Sequence, residues 1–231
     1  MIVVHHLNNS RSQRILWLLE ELSVPYEVRR YERDRKTMLA PPELRAVHPL
    51  GKSPVLTDGD RTLAESGAIV EYLVERYGQA GEGTLVPPAG TPERLRYTYW
   101  LHYAEGSAMP PLLLKLIFDR IESAPMAFFV RPIARGIARK VKGDFVQPQL
   151  DTHLAYMESE LAKNPWFVGG AFTAADIQMS FPVEAAASRA GLTQATRPHL
   201  FDYLTRIHAR PAYQRALERG GPYEIVQAAA P

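Results

Sequence analysis

Apolar and polar positions at the start of the chain predict a strand, a helix and a second strand. Residues 2–4 form a short apolar run, which indicates a buried strand. Apolar residues then recur at helical spacing from Ile15 to Leu22, and Pro25 prevents that helix from continuing. Tyr26 and Val28 flank a polar residue, as in a half-buried strand. The predicted order is therefore β-α-β.

A second group of elements is predicted between residues 41 and 78. Prolines at 41 and 42 begin a short helix that extends to residue 47, and Val55 with Leu56 predicts a buried strand. Asp58-Gly59 is a strong hairpin signal, so residues 61–64 are expected to form the returning strand. An apolar stripe then predicts a helix lying against the sheet, formed by Ile69, Val70, Leu73, Val74 and Tyr77. The predicted order of this α/β domain is β-α-β-α-β-β-α, ending near residue 78.

The rest of the chain has helical periodicity only. Residues 79–90 are rich in glycine and proline and lack periodicity, which predicts a linker. Thr91 and Pro92 suit an N-cap and a first helical position, and prolines at 110 and 111 are expected to kink or break the long helix that begins there. The predicted organisation is an α/β domain over 1–78, a linker over 79–90 and an all-helical domain over 91–231.

Two local patterns in the helical part have structural interpretations. Thr173 and Asp176 match a capping box, which we expect to be buried and structural. Arg131, Arg135 and Arg139 recur every four residues and, with Lys140 and Lys142, predict a basic helical stripe. We interpret this stripe as a solvated face, with a docking patch as the alternative.

Composition narrows the class of protein. With 231 residues, 46% of them hydrophobic, the chain can form one large domain or two small ones, each with a core. The formal net charge of +2 gives no indication of nucleic-acid binding. No apolar run reaches the ~18 residues of a membrane span, and no secretion leader is recognisable. We therefore expect a cytoplasmic protein without nucleic-acid or membrane partners.

The chain contains no cysteine. This excludes disulfides, thiolate metal sites and any chemistry in which the protein supplies a cysteine nucleophile. His5 and His6 alternate across the first strand and have no further ligand at metal spacing, so no metal site is expected. No serine has the Gly-x-Ser-x-Gly surroundings of a serine hydrolase. If sulfur chemistry occurs, the sulfur must belong to the ligand.

Glu65 and Ser66 stand at the start of the helix that follows the hairpin. Free backbone N–H groups and the positive end of the helix dipole collect there and favour a carboxylate. The Ser66 hydroxyl can add a hydrogen bond, and the Glu65 carboxylate can accept one from an ammonium group. A ligand with both groups on one carbon, an α-amino acid head, would satisfy the pair.

Pro54 cannot donate to a strand ladder, so it belongs at the start of a strand or at a sheet edge. A cis Ser53-Pro54 bond would turn the backbone polar groups of Ser53 outward, where an extended peptide could pair with them. The residues alone leave the choice between cis and trans open.

Several motifs together resemble those of the cytosolic glutathione transferases. They are His-Pro-Leu-Gly-Lys-Ser-Pro-Val-Leu at 48–56, Glu65-Ser66 with Ala68-Ile69, Trp-Phe-Val-Gly at 166–169, and Phe172-Thr173 with Asp176-Ile177. The resemblance extends from Ile2 to Leu217 and looks most like bacterial and fungal members of the serine or asparagine type. It implies a thioredoxin-like first domain, an all-helical second domain and a cis bond before Pro54.

The resemblance also implies roles for residues in the first domain. In the family, the γ-glutamyl end of glutathione lies on the Glu-Ser pair, here Glu65 and Ser66. The cysteinyl backbone pairs with the residue before the cis proline, here Ser53 before Pro54. A basic residue such as Lys52 meets the glycyl carboxylate. Glutathione is thus the expected ligand, as a substrate and without a metal.

In this family the residue that contacts the thiol lies after the first strand, at the start of the first helix. Aligning Arg14 with the helix arginine common in serine-type members brings Ser10 to the serine position, so Ser10 is the first candidate. Asn9 is the second, and Asn8 and Ser12 remain open. A helix cap is the structural alternative for each of these residues.

The second substrate is expected between the two domains, against the long helix. Tyr103, Ser107 and Met109 are the candidate wall residues of this electrophile site. Aromatic residues on helices are more often part of a core, so a core position is the alternative interpretation.

The leading hypothesis is a glutathione transferase that activates the glutathione thiol for attack on a small electrophile or peroxide. Peroxidase or disulfide-reductase activity is an additional option. The alternatives are a glutathione-binding regulatory or assembly protein without useful catalysis, and a glutathione-dependent isomerase or dehalogenase. The resemblance also implies a homodimer.

Overall fold

The amino-terminal part of the chain folds as a four-stranded sheet with helices, in the predicted order β-α-β-α-β-β-α. The computed structural model describes residues 1–78 and 84–227, so residues 79–83 of the predicted linker lie outside the described residues. The strands are β1 (Ile2–Leu7), β2 (Tyr26–Tyr31), β3 (Val55–Asp58) and β4 (Arg61–Ala64). The helices are α1 (Gln13–Glu21), α2 (Pro42–Val47) and α3 (Ser66–Tyr77).

The sheet is mixed and has the order β2-β1-β3-β4. β1 is parallel to β2 and antiparallel to β3, and His5 of β1 lies opposite Val55 of β3. β3 and β4 form the predicted hairpin, in which Asp58 pairs with Arg61 and Gly59 has a φ of +63° that glycine adopts readily. This pairing brings the carboxyl end of β1 beside the start of β3.

The remainder of the described chain is helical, as predicted. Its helices are α4 (Pro92–Tyr103), α5 (Met109–Ser123), α6 (Arg131–Val141), α7 (Gln147–Leu161), α8 (Ala174–Arg189), α9 (Pro198–His208), α10 (Pro211–Gly220) and α11 (Glu224–Gln227). Within residues 1–78 and 84–227, no helix is both long enough and apolar enough to cross a membrane.

The long helix is interrupted by a π-helical turn rather than by a break at the two prolines. This turn, Ala104–Ala108, joins α4 to α5, and the Met109 N–H bonds to the carbonyl of Ala104. Pro110 and Pro111 consequently fall in the first turn of α5, where a backbone N–H is not needed within the helix. A second π-helical turn, Lys142–Val146, joins α6 to α7.

Helix α1 is buried on all sides, although the sequence pattern predicts a single apolar stripe. Ile15, Leu16, Trp17, Leu18 and Leu19 all have 0% of their surface exposed. One side of α1 packs against β1 and α3, and α8 and α10 pack against it from the helical part. The first helix is therefore shared between the two parts of the molecule.

The predicted capping box opens α8. The Thr173 N–H donates to Asp176 Oδ2 at 2.9 Å, and the Phe167 N–H donates to Asp176 Oδ1 at 2.9 Å. Burial raises the pKa of Asp176 to about 6, although these donors oppose the shift. Asp176 is thus a buried structural residue, as expected.

The basic stripe on α6 lies beside α5 rather than facing only solvent. Arg139 Nε is 2.6 Å from Glu122 Oε1, and Lys142 Nζ is 2.5 Å from Glu122 Oε2. The outward face of α6 carries Ile133 and Ile137, which are 66% and 58% exposed. The solvated-face interpretation is therefore incomplete, because acidic residues on α5 draw the basic residues toward that helix.

Candidate active site

The loop between β1 and α1 carries the predicted thiol contact, and it lies beside the segment that precedes β3. The Ser10 hydroxyl donates to Ser53 Oγ at 3.3 Å, and Ser53 Oγ donates to the carbonyl of His5 at 3.0 Å. The Ser53-Pro54 bond is cis, as the resemblance implies. Two candidate residues that are 43 positions apart are thus in contact.

Ser12, one of the open candidates, links Ser10 to a buried histidine. Ser10 Oγ lies 2.7 Å from Ser12 Oγ, which lies 2.8 Å from His6 Nδ1. Burial and the charge of Arg30 lower the pKa of His6 to about 4, so its ring is neutral near pH 7. A hydrogen bond to the Gly220 carbonyl takes the single ring N–H, which leaves Nδ1 as an acceptor for the Ser12 hydroxyl. Residue spacing does not predict this contact of His6.

The two serines differ in their access to a ligand. Ser12 is 0% exposed, whereas Ser10 is 4% exposed. Because the Ser12 hydroxyl donates to His6, its oxygen is a second acceptor for the single Ser10 hydrogen, in addition to Ser53 Oγ. Ser10 is therefore the hydroxyl that can turn toward a bound sulfur.

Both asparagines of the loop use their amide oxygens within the fold. Asn8 Oδ1 accepts from the Arg33 N–H at 3.0 Å, and Asn9 Oδ1 accepts from the Glu224 N–H at 2.8 Å. Asn9 has a φ of 49°, in the left-handed region where asparagine is enriched. Its amide nitrogen has no hydrogen-bond partner in the part of the chain that the structure describes. Asn9 therefore remains a second candidate donor.

Ser66 is the first residue of α3 and is 3% exposed. Its Oγ accepts hydrogen bonds from Arg14 Nη2 at 2.9 Å and from Gln178 Nε2 at 3.3 Å. Since both acceptor positions of the oxygen are occupied, the hydroxyl hydrogen is directed to a ligand acceptor. This geometry suits the carboxylate expected at the N-terminus of α3. Gln178 was missed because it comes from α8, 112 positions away.

Glu65 and Lys52 are exposed, and neither side chain has a hydrogen-bond or ion-pair partner among the described residues. Glu65 precedes α3 with φ 70° and ψ 117°, which is unfavourable for a residue with a Cβ atom. Backbone strain of this kind persists only where the surrounding structure holds the residue in place, and it is common at ligand-binding sites. Two free and opposite charges suit the ammonium and carboxylate groups of the expected ligand.

An ion-pair network that the sequence did not predict joins the two parts of the molecule. The Arg14 side chain, 1% exposed, binds Glu105 and donates from Nη1 to the Gln178 carbonyl at 2.5 Å. Arg11 Nε donates to both carboxylate oxygens of Glu105 at 2.9 Å. Burial raises the pKa of Glu105, but Arg14 and Arg11 together lower it by more, so the carboxylate stays ionised. Glu105 lies on a π-helical turn, which residue periodicity does not reveal.

The candidate wall residues lie in different surroundings. Tyr103 is buried with its Oη 2.6 Å from His153 Nδ1 on α7, and Met109 is buried in the core. Both side chains pack within the helical part. The alternative interpretation, a position in the core, therefore applies to both residues. Ser107 is half-buried on the π-helical turn, two residues after Glu105.

Known protein families match both parts of the chain. Residues 1–75 match the model of the glutathione S-transferase N-terminal domain, and residues 121–211 match the model of the glutathione S-transferase C-terminal domain. The chain is 39% identical to glutathione S-transferase 3 of Schizosaccharomyces pombe over 219 residues, which are 95% of this chain and 88% of that protein.

Further similarity covers nearly the whole chain. It is 33% identical over 226 residues to glutathione S-transferase 1 of Saccharomyces cerevisiae, covering 95% of each protein. The fold matches the crystal structure of a glutathione S-transferase from Actinobacillus pleuropneumoniae with a TM-score of 0.78 and 32% identity, covering 99% of this chain and 96% of that one. By sequence and by fold, the chain belongs to the glutathione S-transferase family of enzymes, whose substrate is glutathione.

Proposed function

We propose that the protein transfers electrophilic groups to glutathione and that the Ser10 hydroxyl donates a hydrogen bond to the glutathione sulfur. The observation that carries this proposal is the contact between Ser10 and Ser53, whose oxygens are 3.3 Å apart. Ser53 is the residue expected to pair with the cysteinyl backbone of glutathione. A sulfur on that cysteinyl unit would then lie within reach of Ser10.

A hydrogen bond and the helix dipole are sufficient in magnitude to activate the thiol. Lowering the pKa of a free thiol from ~8.5 to ~6.5 requires about 2.7 kcal/mol of preferential thiolate stabilisation. A hydrogen bond to a charged group contributes about 1.5–3 kcal/mol, and the N-terminus of α1 adds up to about 1 kcal/mol.

His6 does not accept the thiol proton. A relay through Ser10 and Ser12 would protonate a ring whose pKa is about 4. From a thiol of pKa ~8.5, that transfer costs about 6 kcal/mol. The thiol proton therefore leaves to solvent, and the Ser12 N–H, which donates to Ser10 Oγ at 3.3 Å, helps to hold the serine oxygen in place.

The ultraviolet absorbance of bound glutathione thiolate, followed as the pH is raised, tests the role of Ser10. Ser10→Ala is expected to raise the pKa of the bound thiol by about 1–2 units, because a hydrogen bond to the charged sulfur is lost. Asn8→Ala is the matched control from the same loop, since the Asn8 amide oxygen is engaged by the Arg33 N–H. The control is expected to leave the thiol pKa unchanged.

Other outcomes of this titration decide between the alternatives. If Asn9→Ala restores the free-thiol pKa and Ser10→Ala does not, Asn9 is the donor. If the thiol bound to the unmodified protein titrates as it does in water, activation by this site is wrong. A glutathione-binding role without catalysis would then take its place.

Glu65→Gln is expected to weaken glutathione binding about 10- to 100-fold, because a neutral amide replaces the carboxylate that meets the ligand ammonium. The fold is expected to be unaffected, since Glu65 is exposed. Glu71→Gln removes the same charge from an exposed position on α3 and serves as the control. Calorimetric titration with glutathione compares the two variants, and equal affinities would exclude Glu65 from the site.

Family membership alone leads us to propose, in addition, that the protein works as a cytoplasmic homodimer. Its second substrate is a small electrophile or a peroxide held between the two domains. Ser107 is the candidate wall residue whose half-buried position supports that location.

A further inference from the structure

Exposed apolar side chains are concentrated in one part of the helical domain. Among the described residues, more than half of the large apolar side chains that are exposed lie between residues 113 and 145. In α5 they are Leu113, Ile117 and Ile121, which recur every four residues and so share one face of the helix. An exposed apolar patch of this kind marks a surface that another molecule covers.

Two phenylalanines form the tip of this region, in the connection between α5 and α6. Phe128 and Phe129 are 83% and 66% exposed. Their rings pack edge to face, with centroids 5.5 Å apart. Neither ring belongs to the hydrophobic core of the described residues. The fold therefore gains little from these two side chains.

Helix α6 continues the apolar surface. The Ala134 N–H donates to the Val130 carbonyl at 3.1 Å, so the helical path already includes Val130. At 3.6 residues per turn, Val130, Ile133 and Ile137 fall on one face. All three side chains are exposed, and the buried residue of α6 is Ala138. The apolar stripe of α6 is therefore not used for packing within the chain.

The basic stripe lies on another side of α6. Arg131 is roughly 160° from Ile133 around the helix axis, and Arg135 is roughly 160° from Ile137. Lys140, whose side chain is exposed, lies between the two stripes, on the side of the helix that points away from the rest of the protein. One flat surface can therefore touch apolar and basic side chains together.

The same part of the chain is its basic part. Residues 113–145 contain seven Lys or Arg side chains and three Asp or Glu side chains, a formal charge of +4, whereas the whole chain carries +2. The other residues are therefore net acidic. Charge complementarity favours an anionic surface as the partner. Two copies of the chain that met through this same face would bring like charges together, which disfavours that pairing.

We propose that this face binds the surface of an anionic phospholipid bilayer. Phe128, Phe129 and Ile133 enter the boundary between the lipid headgroups and the acyl chains, and Arg131 and Lys140 stay among the phosphates. A helix with Lys or Arg on its polar side and large apolar residues on the other is typical of such binding, which needs no segment that spans the bilayer. This inference goes beyond the proposed function and does not depend on it.

Sedimentation of the full chain with lipid vesicles tests the proposal. Binding to vesicles of equal parts phosphatidylglycerol and phosphatidylcholine is expected to be about tenfold tighter than binding to phosphatidylcholine alone, and to weaken as salt is raised. Phe128→Ser together with Phe129→Ser is expected to weaken binding about tenfold or more, because the apolar contact is lost. Leu95→Ser, which removes a 75% exposed leucine from α4, is the control and is expected to bind normally. Since all these side chains are exposed, the melting temperatures are expected to stay within about 2 °C.

Arg131→Gln tests the contribution of charge. The Arg131 side chain is exposed, and its hydrogen bond is made to the Met126 carbonyl at 3.4 Å. Its loss is expected to weaken binding to the anionic vesicles about fivefold. Arg61→Gln removes the same charge from an exposed position on β4 and is expected to leave vesicle binding unchanged.

A fluorescent label locates the contact. Because the chain contains no cysteine, Ala127→Cys supplies a single labelling site beside the two phenylalanines. The emission of an environment-sensitive dye at this position is expected to shift to shorter wavelength when anionic vesicles are added. The same dye on Asp60→Cys, in the turn between β3 and β4, is expected to show no shift.

Three results would overturn the proposal. The first is equal binding to anionic and neutral vesicles, or binding to neither. The second is binding that survives the loss of both phenylalanines and leaves the dye at position 127 unshifted. The third is an assembly of copies in analytical ultracentrifugation that dissociates in the double phenylalanine variant while vesicles are not bound, which would assign this face to an interface between copies. These measurements contain no glutathione, so the proposed transferase function can hold or fail independently.

Discussion

Glu105→Gln is expected to lower the melting temperature by about 6–12 °C, as measured by differential scanning calorimetry. The substitution removes the negative charge that faces Arg14, whose side chain is 1% exposed. Leaving a buried guanidinium without its carboxylate costs about 3 kcal/mol or more of unfolding free energy. In a chain of this size, each 1 kcal/mol shifts the melting temperature by about 2–4 °C.

Glu122→Gln on α5 is the matched control for this effect. Glu122 also pairs with two basic side chains, but its partner Arg139 is 70% exposed. Surface pairs contribute about 1 kcal/mol or less, so a small shift is expected. Equal shifts in the two variants would mean that Glu105 forms an ordinary surface pair. Replacing Arg14 and Glu105 together by Met is expected to recover part of the loss, because no buried charge is then left alone.

Acidification is expected to destabilise the unmodified protein relative to His6→Gln by up to about 3 kcal/mol as the pH falls from 6.5 to 4. The pKa of His6 is about 4 in the folded protein and 6.5 in the reference state. Within this window the unfolded chain binds the additional proton, so stability is lost as the pH falls. Glutamine can keep the hydrogen bonds to Ser12 and Gly220 but cannot become charged.

Urea unfolding of both proteins at pH 7 and pH 4.5 measures this difference. Asp176 acts in the opposite direction, because its folded pKa of about 6 lies above its ordinary value of 3.8. The folded protein takes up that proton first, so Asp176 adds stability as the pH falls through about 6. Since both proteins contain Asp176, its contribution cancels in the comparison. A parallel change in the two midpoints would contradict the neutral, buried state of His6.

The elements of the first domain were predictable because each has a local signal. The hairpin follows from Asp58-Gly59, and α3 follows from an apolar stripe that fits one helical face. The capping box of Thr173 and Asp176 is also local and is confirmed. The π-helical turn at Ala104–Ala108 has no such signal, so the sequence predicted a kink or break at the prolines.

The placement of the candidate residues that the motif names was predictable, because Ser53 directly precedes the proline before β3 and Ser66 begins α3; their roles toward glutathione stay predictions. Residues that hold those groups in place come from distant parts of the chain. Gln178 and Glu105 reach the site only through packing of the helical part on α1 and α3. Sequence patterns do not reveal such contacts, because the contacts depend on tertiary structure rather than on residue spacing. The roles of Ser10 and Asn9 at the thiol stay predictions until the titration is done.

Because α1 is buried on every side, the sheet domain that ends near residue 78 depends on the helical domain to cover its core. A fragment containing only the sheet and its helices would expose Trp17 or its neighbours to water on the side that α8 and α10 now cover. Burying a large apolar side chain contributes about 1.5–3 kcal/mol, and several are shared across this contact. Because the β1–α1 loop, which carries the candidate Ser10, leads directly into α1, we expect a substitution inside α8 or α10 to shift this loop without contacting the proposed glutathione site.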